Sequence, residues 1–551
     1  MPRKLVPLLL VVVAATVTGL AVARAAPSHS ASPVSVGAVD GGVLRAAIGD
    51  NPDHLDTGIG FAVEGWELTE ATNNGLLKFR NAAGPGSAAV VPDLAVAMPT
   101  VTDGGRTYTF RLTTGVRFSP PVDRAVRPSD VKYAIERLFH VSSPGVGFYT
   151  DIVGADSFAK TLKGGIRGIV VDDPKRTIVF HLQHPDGAFL DILAMPFAFA
   201  VPKGMPYRDI STDAKWRIAT GPYMISSYVP KQKITLVRNP NFRQWTPNSP
   251  RGHLDRIDIQ IGVTPEQAVN ETASGQLDWY IGAVPSDRLR ALQARYPQQV
   301  HLFPRNNDTY FLLNERRAPF TKLAVRRAVN YATDRRALVK IFGGQGQASE
   351  TVIPPGFGGA YREHNLYPYD LAKARTLIKQ AGATGAKVQI WAPNTDPAPK
   401  AAQYEASVLA SIGLDVTGVK LVDESVYYDE LLSQKTDPQI ALTQFDQDYP
   451  EGEDFIDTLL NGANITDVGN NNTSNTNDPV LNRLIDATKL LPLGPKRNAS
   501  WARIDRLFMA RDAGWIPVLH RLEPKFVSPQ VRGLVFTGSY FELIPELWLA
   551  Q

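Results

Sequence analysis

The chain has 551 residues, of which 44% are hydrophobic and 20% are charged, and it contains no cysteine. This length exceeds that of one typical domain, and the composition is that of a soluble globular protein rather than a disordered or membrane protein. The formal net charge of +4 is small for the size and gives no support for nucleic-acid binding. The lack of cysteine excludes disulfides, thiolate metal ligands, cysteine nucleophiles and a lipid-modified N-terminal cysteine.

The N-terminus has the pattern of an export signal. Arg3 and Lys4 precede an apolar run over residues 5–23, and the tripeptide Ala-Arg-Ala that ends at position 25 is a small-x-small cleavage site. We predict a signal peptide over residues 1–25 and a flexible tether over residues 26–41. An uncleaved membrane anchor is the alternative. We therefore expect an exported protein that is periplasmic, associated with the cell surface, or secreted.

Hydrophobic patterning predicts alternating strands and helices along the whole chain. In the first half we expect a strand over 42–48, a helix over 63–77, a strand over 108–112, a helix capped by Ser129, strands over 178–182, 234–237 and 257–263, and a helix whose capping box begins at Thr264. In the second half we expect strands over 310–313, 388–391 and 440–445, helices over 322–342, 370–380, 403–412 and 425–433, a surface loop over 461–477, and two final amphipathic helices. Since no linker interrupts this order, the chain is expected to cross between domains more than once.

Residues 443–457 concentrate negative charge in a protein of positive net charge. The acidic residues there are Asp446, Asp448, Glu451, Glu453, Asp454 and Asp457, and no Lys or Arg lies between Lys435 and Arg483. Their partners must come from distant parts of the chain or from a ligand. Interleaved aromatic residues could help to hold an ammonium or guanidinium group. The stretch follows a predicted strand, where open α/β sheets bind ligands. A solvated acidic loop is the alternative.

Known catalytic motifs are missing from the sequence. There is no Gly-x-Ser-x-Gly elbow and no phosphate-binding Gly-x-x-x-x-Gly-Lys. His181 and His184 lack the context of a zinc site. A calcium loop starting at Asp446 would have Glu451 where its glycine is required. Two interpretations of the acids remain open: a hydrolytic carboxylate pair, or a carboxylate that receives the cationic group of a captured ligand.

Short motifs in a fixed order extend from about Val43 to the C-terminus. They occupy residues 55–56, 91–95, 103–112, 115–118, 129–137, 220–223, 239–242, 275–278, 325–335, 353–356, 372–375 and 448–449. With this order and spacing, the chain resembles the extracytoplasmic solute-binding proteins of ABC importers, in the family of dipeptide-, oligopeptide- and nickel-binding proteins.

The resemblance implies an α/β, two-lobed periplasmic-binding-protein fold of type II, the Venus-flytrap fold, with an extra inserted domain. Domain I would comprise residues 42–75, 195–303 and 523–551, domain II residues 76–194, and domain III residues 304–522. The implied function is capture of a peptide ligand and its delivery to the transmembrane subunits of an ABC permease, by a monomer that needs no cofactor, binds no nucleic acid and performs no catalysis. The alternatives are a secreted hydrolase using Asp446 and Asp448, and a binding protein of this fold that serves sensing or antibiotic biosynthesis.

In peptide-binding members of the family, an aspartate at the position of Asp448 takes the α-amino group of the ligand. This chain departs from the family pattern because Phe445 stands where Trp is common and Asp446 where a neutral residue is common. The added negative charge leads us to expect a ligand with more than one positive group, which is a basic peptide or arginine. The remaining residues implied to line the cleft are Tyr449, Glu64, Trp66, Tyr280, Tyr310, Trp391, Asn394 and His520.

Overall fold

The computed structural model describes residues 37–550. The predicted signal peptide and residues 26–36 of the predicted tether lie outside the described residues. From Val39 onward the chain forms one compact unit. Over residues 37–550, no helix combines the length and the apolar character that a membrane span requires.

The strands and helices are defined as follows. The strands are β1 (Val43–Ile48), β2 (Leu77–Phe79), β3 (Val90–Pro92), β4 (Thr100–Thr102), β5 (Thr107–Arg111), β6 (Ile169–Asp172), β7 (Thr177–His181), β8 (Tyr223–Val229), β9 (Lys233–Arg238), β10 (Arg256–Ile261), β11 (Trp279–Ile281), β12 (Val300–Pro304), β13 (Asn307–Leu313), β14 (Gly346–Ala348), β15 (Lys387–Pro393), β16 (Asp415–Val422), β17 (Ile440–Asp446), β18 (Trp515–Phe526), β19 (Val531–Arg532), β20 (Phe536–Thr537), β21 (Phe541–Glu542) and β22 (Trp548–Leu549). The α-helices are α1 (Val63–Thr72), α2 (Pro128–His140), α3 (Ala155–Thr161), α4 (Phe189–Ala194), α5 (Pro265–Ala273), α6 (Ser286–Arg295), α7 (Leu323–Ala332), α8 (Arg335–Ile341), α9 (Leu371–Gln380), α10 (Ala398–Ser411), α11 (Glu424–Leu431), α12 (Gly452–Leu460), α13 (Pro479–Lys489) and α14 (Pro495–Arg511).

A five-stranded sheet carries the order β11-β1-β10-β9-β8, with β1 parallel to both β10 and β11. Its strands alternate in burial because successive side chains of a strand point to opposite faces. Leu44, Ile257 and Leu236 are all buried on one face, whereas Arg45 and Arg256 are exposed on the other. The predicted strands at 42–48, 234–237 and 257–263 are confirmed.

A four-stranded antiparallel sheet has the order β4-β5-β7-β6. In its central pair, Tyr108 lies opposite Phe180, and Phe110 lies opposite Ile178. All four side chains are buried, which is the one-sided burial that the alternating sequence predicts.

The third sheet has seven strands, in the order β12-β18-β13-β17-β15-β16, with β14 also paired to β18. β13 is buried along its whole length, because it lies between β17 and β18 and is covered on both faces. β17 pairs with β13 and ends at Asp446, so the acidic stretch begins at the end of a central strand.

Polar side chains account for two corrections to the predicted helices. The helix expected over 322–342 is two helices, because Asp334 accepts a hydrogen bond from the Arg336 amide at 2.9 Å and starts α8. Ser129 does not cap α2. The cap position is Arg127, and the Ser129 hydroxyl donates to Asp173 at 2.7 Å.

Two further predictions also need correction. Thr264 caps α5, but the Gln267 side chain donates to Glu271 at 2.8 Å instead of completing a capping box. The Asn-rich segment is a surface loop over residues 463–469, which are mostly exposed, but it is largely buried between residues 470 and 476. Its amides bond internally, as in Asn472, which donates to the carbonyls of Asn461 and Thr476. Because these hydrogen bonds satisfy the polar groups, the segment can be buried.

Candidate functional site

A cavity of about 220 Å³ lies where β17 ends. Four parts of the chain that are distant in sequence enclose it: the start of α1, the link between β12 and β13, the residues around the end of β17, and the residues between β20 and the start of β21. The lining residues are Phe61, Val63, Trp66, Asn306, Asp446, Gln447, Asp448, Gly538, Ser539 and Phe541. The cavity thus combines aromatic walls with two carboxylates and several neutral polar groups, which is the composition of a small-ligand site.

The structure brings Trp66, Asp446 and Asp448 together on the wall of this cavity. Asn306, Gln447, Gly538, Ser539 and Phe541 also line it, although no sequence pattern selects them. No local motif marks these residues, because their place in the cavity depends on contacts between segments far apart in the chain.

Asp448 carries the least compensated charge at the cavity. Its backbone N–H donates to the Asp454 carboxylate at 2.8 Å. Burial, reinforced by the negative charge of Asp446, raises the pKa of Asp448 to about 7. Burial and the neighbouring Asp448 also raise the pKa of Asp454 well above its ordinary value. Within residues 37–550, no Lys, Arg or His forms an ion pair with Asp448.

Asp446, in contrast, already has a cationic partner. The Arg305 guanidinium donates to the Asp446 carboxylate at 2.6 Å and reaches Glu523 at 3.3 Å. The guanidinium carbon also lies 4.9 Å from the centre of the Phe541 ring. The expectation of a ligand with more than one positive group depended on both Asp446 and Asp448 lacking a cationic partner. Because Arg305 pairs with Asp446, only Asp448 still supports it.

Glu451, Glu453 and Asp457 form ion pairs inside the protein and do not line the cavity. Arg497 binds Glu451 at 3.0 Å and also pairs with Glu453, while Lys489 binds Asp457 at 2.6 Å. These acids are buried, so the alternative of a solvated acidic loop is wrong. The partners come from α13 and α14, which follow the stretch in the chain.

Several residues that the resemblance implied as cleft lining belong instead to the hydrophobic cores. Tyr310 stacks on Trp515 with ring centres 3.5 Å apart. Phe445 packs against Phe455 at 5.0 Å, and Tyr449 is buried with its ring 6.3 Å from Phe148. None of Tyr310, Phe445 and Tyr449 is among the residues that line the cavity, because each packs against another aromatic ring.

The other implied residues also lie outside the cavity lining. His520 is buried, with its imidazole 2.6 Å from the Ser349 hydroxyl and 3.1 Å from the Asn307 carbonyl. Trp391 lies under the Lys420 ammonium, 3.4 Å from the ring centre. Asn394 is exposed and donates to Asp423 at 3.4 Å. Glu64 and Tyr280 are half-buried and are not among the lining residues.

Asn306 is held in place by close packing against Gly538. Asn306 donates to the Gln447 amide oxygen at 2.6 Å, and Gln447 donates to the Gly538 carbonyl at 2.8 Å. A Cβ atom at Gly538 would lie 2.1 Å from the Asn306 amide nitrogen. Gly538 is therefore required by the close approach of two segments that form one wall.

We predict that Gly538→Ala lowers the free energy of unfolding by about 1–3 kcal/mol, because overpacking forces Asn306 to move. Urea denaturation measures this effect. Gly147→Ala is the control, since a Cβ there meets nothing within 4 Å. Equal stability of the two variants would show that the wall adapts without strain.

Comparison with known proteins identifies the family. Residues 89–467 match the family described as bacterial extracellular solute-binding proteins, family 5 Middle. The chain belongs to this family. Among its relatives in family 5, heme-binding protein A of Haemophilus influenzae is 26% identical over 521 residues, covering 89% of this chain and 88% of the relative. The probable D,D-dipeptide-binding periplasmic protein DdpA of Escherichia coli is 26% identical over 439 residues, covering 77% of this chain and 78% of the relative.

Solved structures give the fold of this family 5 protein. Clavulanic acid biosynthesis oligopeptide binding protein 2 superposes with a TM-score of 0.85 at 25% identity, covering 93% of this chain and 96% of that one. The DppA protein of Helicobacter pylori in complex with the peptide STSA superposes with a TM-score of 0.73, covering 93% and 99%, and at 22% identity it shows the fold alone. The predicted family and the two-lobed type II fold are confirmed. The protein is the solute-binding component of an ABC transporter.

Proposed function

We propose that this protein captures a peptide, or another ligand with an amino group, in the cavity at Asp448. The observation that carries the proposal is a half-buried carboxylate on the cavity wall without a cationic partner among the described residues. A ligand ammonium would supply that partner through a charge-assisted hydrogen bond. The names of the relatives support a peptide, since they include dipeptide-binding proteins.

The proposed domain division gives the cavity a way to close. The five-stranded sheet lies within proposed domain I, and the four-stranded sheet lies within domain II. In this division the chain passes between domains I and III after Phe303 in β12 and again before Glu523 in β18, and these two residues lie opposite each other in the paired strands. Two neighbouring connections of this kind between two domains are suited to act as a hinge.

The alternatives have less support from the site. A hydrolase would use Asp446 and Asp448 as a pair, but Asp446 is held by Arg305, and the relatives that the chain matches are named as binding proteins. We therefore propose that the protein performs no catalysis on its ligand. A role in biosynthesis, rather than uptake, is a second candidate because of the similarity to clavulanic acid biosynthesis oligopeptide binding protein 2.

Native mass spectrometry of the purified protein, followed by calorimetric titration with short peptides and with arginine, tests this proposal. We expect one intact ligand per chain and no cleavage product. Cleavage of the ligand would favour the hydrolase. If no member of the panel binds, the peptide proposal is wrong.

Ligand affinity is expected to rise with pH up to about pH 7.5, above which a peptide amino terminus begins to lose its proton. Because the pKa of Asp448 is about 7 in the folded, ligand-free protein, the carboxyl is largely protonated below pH 7 and cannot pair with an ammonium group. Affinity should therefore fall about tenfold per pH unit below 7. The same raised pKa contributes stability to the ligand-free fold below the unfolded pKa, and that contribution is lost as the pH rises through 7.

Calorimetric titration between pH 5.5 and 8.5 measures this dependence. Asp448→Asn is the control variant, since it removes the titrating group and should flatten the profile. An affinity of the wild-type protein that does not change over this pH range would place the ligand amine away from Asp448.

A further inference from the structure

Arg305 lies behind the wall of the ligand cavity, in contact with residues that line it. It precedes β13, and its side chain is only 17% exposed. It contacts Asp446 and Phe541, which both line the cavity, and Glu523, which does not. Arg305 thus joins one carboxylate of the cavity wall to charges in the interior.

These interior charges balance one another. The Lys525 ammonium lies 2.7 Å from Glu542 and 3.5 Å from Glu523. Burial acts to lower the pKa of Lys525, but the negative charges of Glu542 and Glu523 raise it. Burial and the charge of Glu542 raise the pKa of Glu67, which lies beside this cluster, well above its ordinary range.

The Arg521 guanidinium completes this charge cluster. It donates to the Gln444 amide oxygen at 3.0 Å and interacts electrostatically with Asp446 and Glu523. In this cluster Arg305 and Lys525 form ion pairs with the three carboxylates of Asp446, Glu523 and Glu542, and Arg521 lies close by. Because Arg305 pairs directly with Asp446, the carboxylate left without a cation at the cavity wall, among the described residues, is that of Asp448, with Asp454 behind it.

The described cavity lining also lacks a cationic side chain that could pair with a carboxylate. None of the residues that line it, within the described part of the chain, is Lys, Arg or His. In a free amino acid the carboxylate lies next to the ammonium, so it would be desolvated beside Asp446 and Asp448 without a cation in the wall. Burying an unpaired charge in this way is strongly unfavourable.

We infer that Arg305 sets the charge specificity of this cavity. By occupying Asp446 it leaves one ammonium position, at Asp448. The cavity then accepts an amine whose neighbouring group is uncharged, such as a peptide amino terminus, over a free amino acid or a group with two positive charges. This inference rests on the proposed function and narrows its ligand class, and it replaces the expectation of arginine or a basic peptide.

Ligand-observed NMR titration with three small probes and one peptide tests the inference. The three probes are alaninamide, which carries one positive charge, alanine, which carries a carboxylate in place of the amide, and lysinamide, which carries two positive charges. The peptide is tetra-alanine. In the wild-type protein, alaninamide should bind at least about tenfold more tightly than alanine. This comparison needs no variant and does not depend on how a mutant folds.

Variants of the ion pair then test the role of Arg305. Arg305→Met frees Asp446 and should raise the affinity for lysinamide relative to alaninamide by about tenfold. The double variant Arg305→Met with Asp446→Asn should return this ratio to the wild-type value, and Arg305→Lys should preserve it. A purely structural role of Arg305 would change the affinity for all probes together and leave the ratio constant.

The outcomes separate the inference from the proposed function. If tetra-alanine binds but alanine and alaninamide bind equally, or if Arg305→Met leaves the lysinamide ratio unchanged, the inference is wrong and the proposed function stands. If neither the peptide nor any probe binds to the wild-type protein, the proposed function is wrong, and the inference fails with it.

Discussion

Replacing Asp448 with Asn is expected to lower peptide affinity by about tenfold to a thousandfold, while the fold stays intact. The substitution keeps the shape of the side chain and removes the charge that pairs with the ligand ammonium. A buried charge-assisted contact of this kind contributes roughly 1.5–4 kcal/mol. Because the pKa of Asp448 is raised, the loss should be largest at about pH 7.5, where the wild-type carboxyl is mostly ionised and a peptide amino terminus is still mostly protonated.

Calorimetric titration at that pH measures the loss. The matched control is Asp467→Asn, since Asp467 is an exposed acid in the same domain of the proposed division. Thermal denaturation of the ligand-free variants checks their folding. If Asp448→Asn binds peptide as tightly as the control, the ligand amine is held elsewhere in the cavity.

Replacing Arg497 with Met is expected to lower the free energy of unfolding by about 3–5 kcal/mol, because it leaves buried acids without their cation. The Arg497 side chain is 0% exposed and pairs with Glu451 and Glu453. It also donates to the carbonyls of Thr488, Lys489 and Leu491. Burial acts to lower the pKa of Arg497, but Glu451 and Glu453 raise it.

Urea denaturation measures this effect, with Arg503→Met as the control because Arg503 is exposed on the same helix, α14. Adding Glu451→Gln and Glu453→Gln to Arg497→Met should recover part of the stability, since it removes the unpaired charges. A loss no larger than that of the control would show that these acids do not depend on Arg497.

Local pattern predicts the elements of this fold well. β5 and β7 alternate in burial as their sequences do, and the acidic stretch begins at the end of a central strand as expected. Errors arise where a polar side chain decides the structure through a tertiary contact, as at Ser129, whose hydroxyl bonds to Asp173 rather than to its own helix. A single sequence does not show such a contact.

The site is predicted only in part, for the same physical reason. Asp448 can be found because it lies at a strand end without a local cation. Arg305 lies 141 residues from Asp446, and Gly538 lies 91 residues from Gln447, so their contacts follow only from the folded arrangement. The role expected for Asp446 changes for this reason, because the partner that neutralises it is distant in the chain.

A crystal structure of the protein with a bound short peptide tests the central claim most directly. We predict that the ligand lies in the cavity with its amino nitrogen about 3 Å from a carboxylate oxygen of Asp448. We also expect Asp446 to remain paired with Arg305. An amino group bound at another residue, or a peptide bound outside this cavity, would contradict the account.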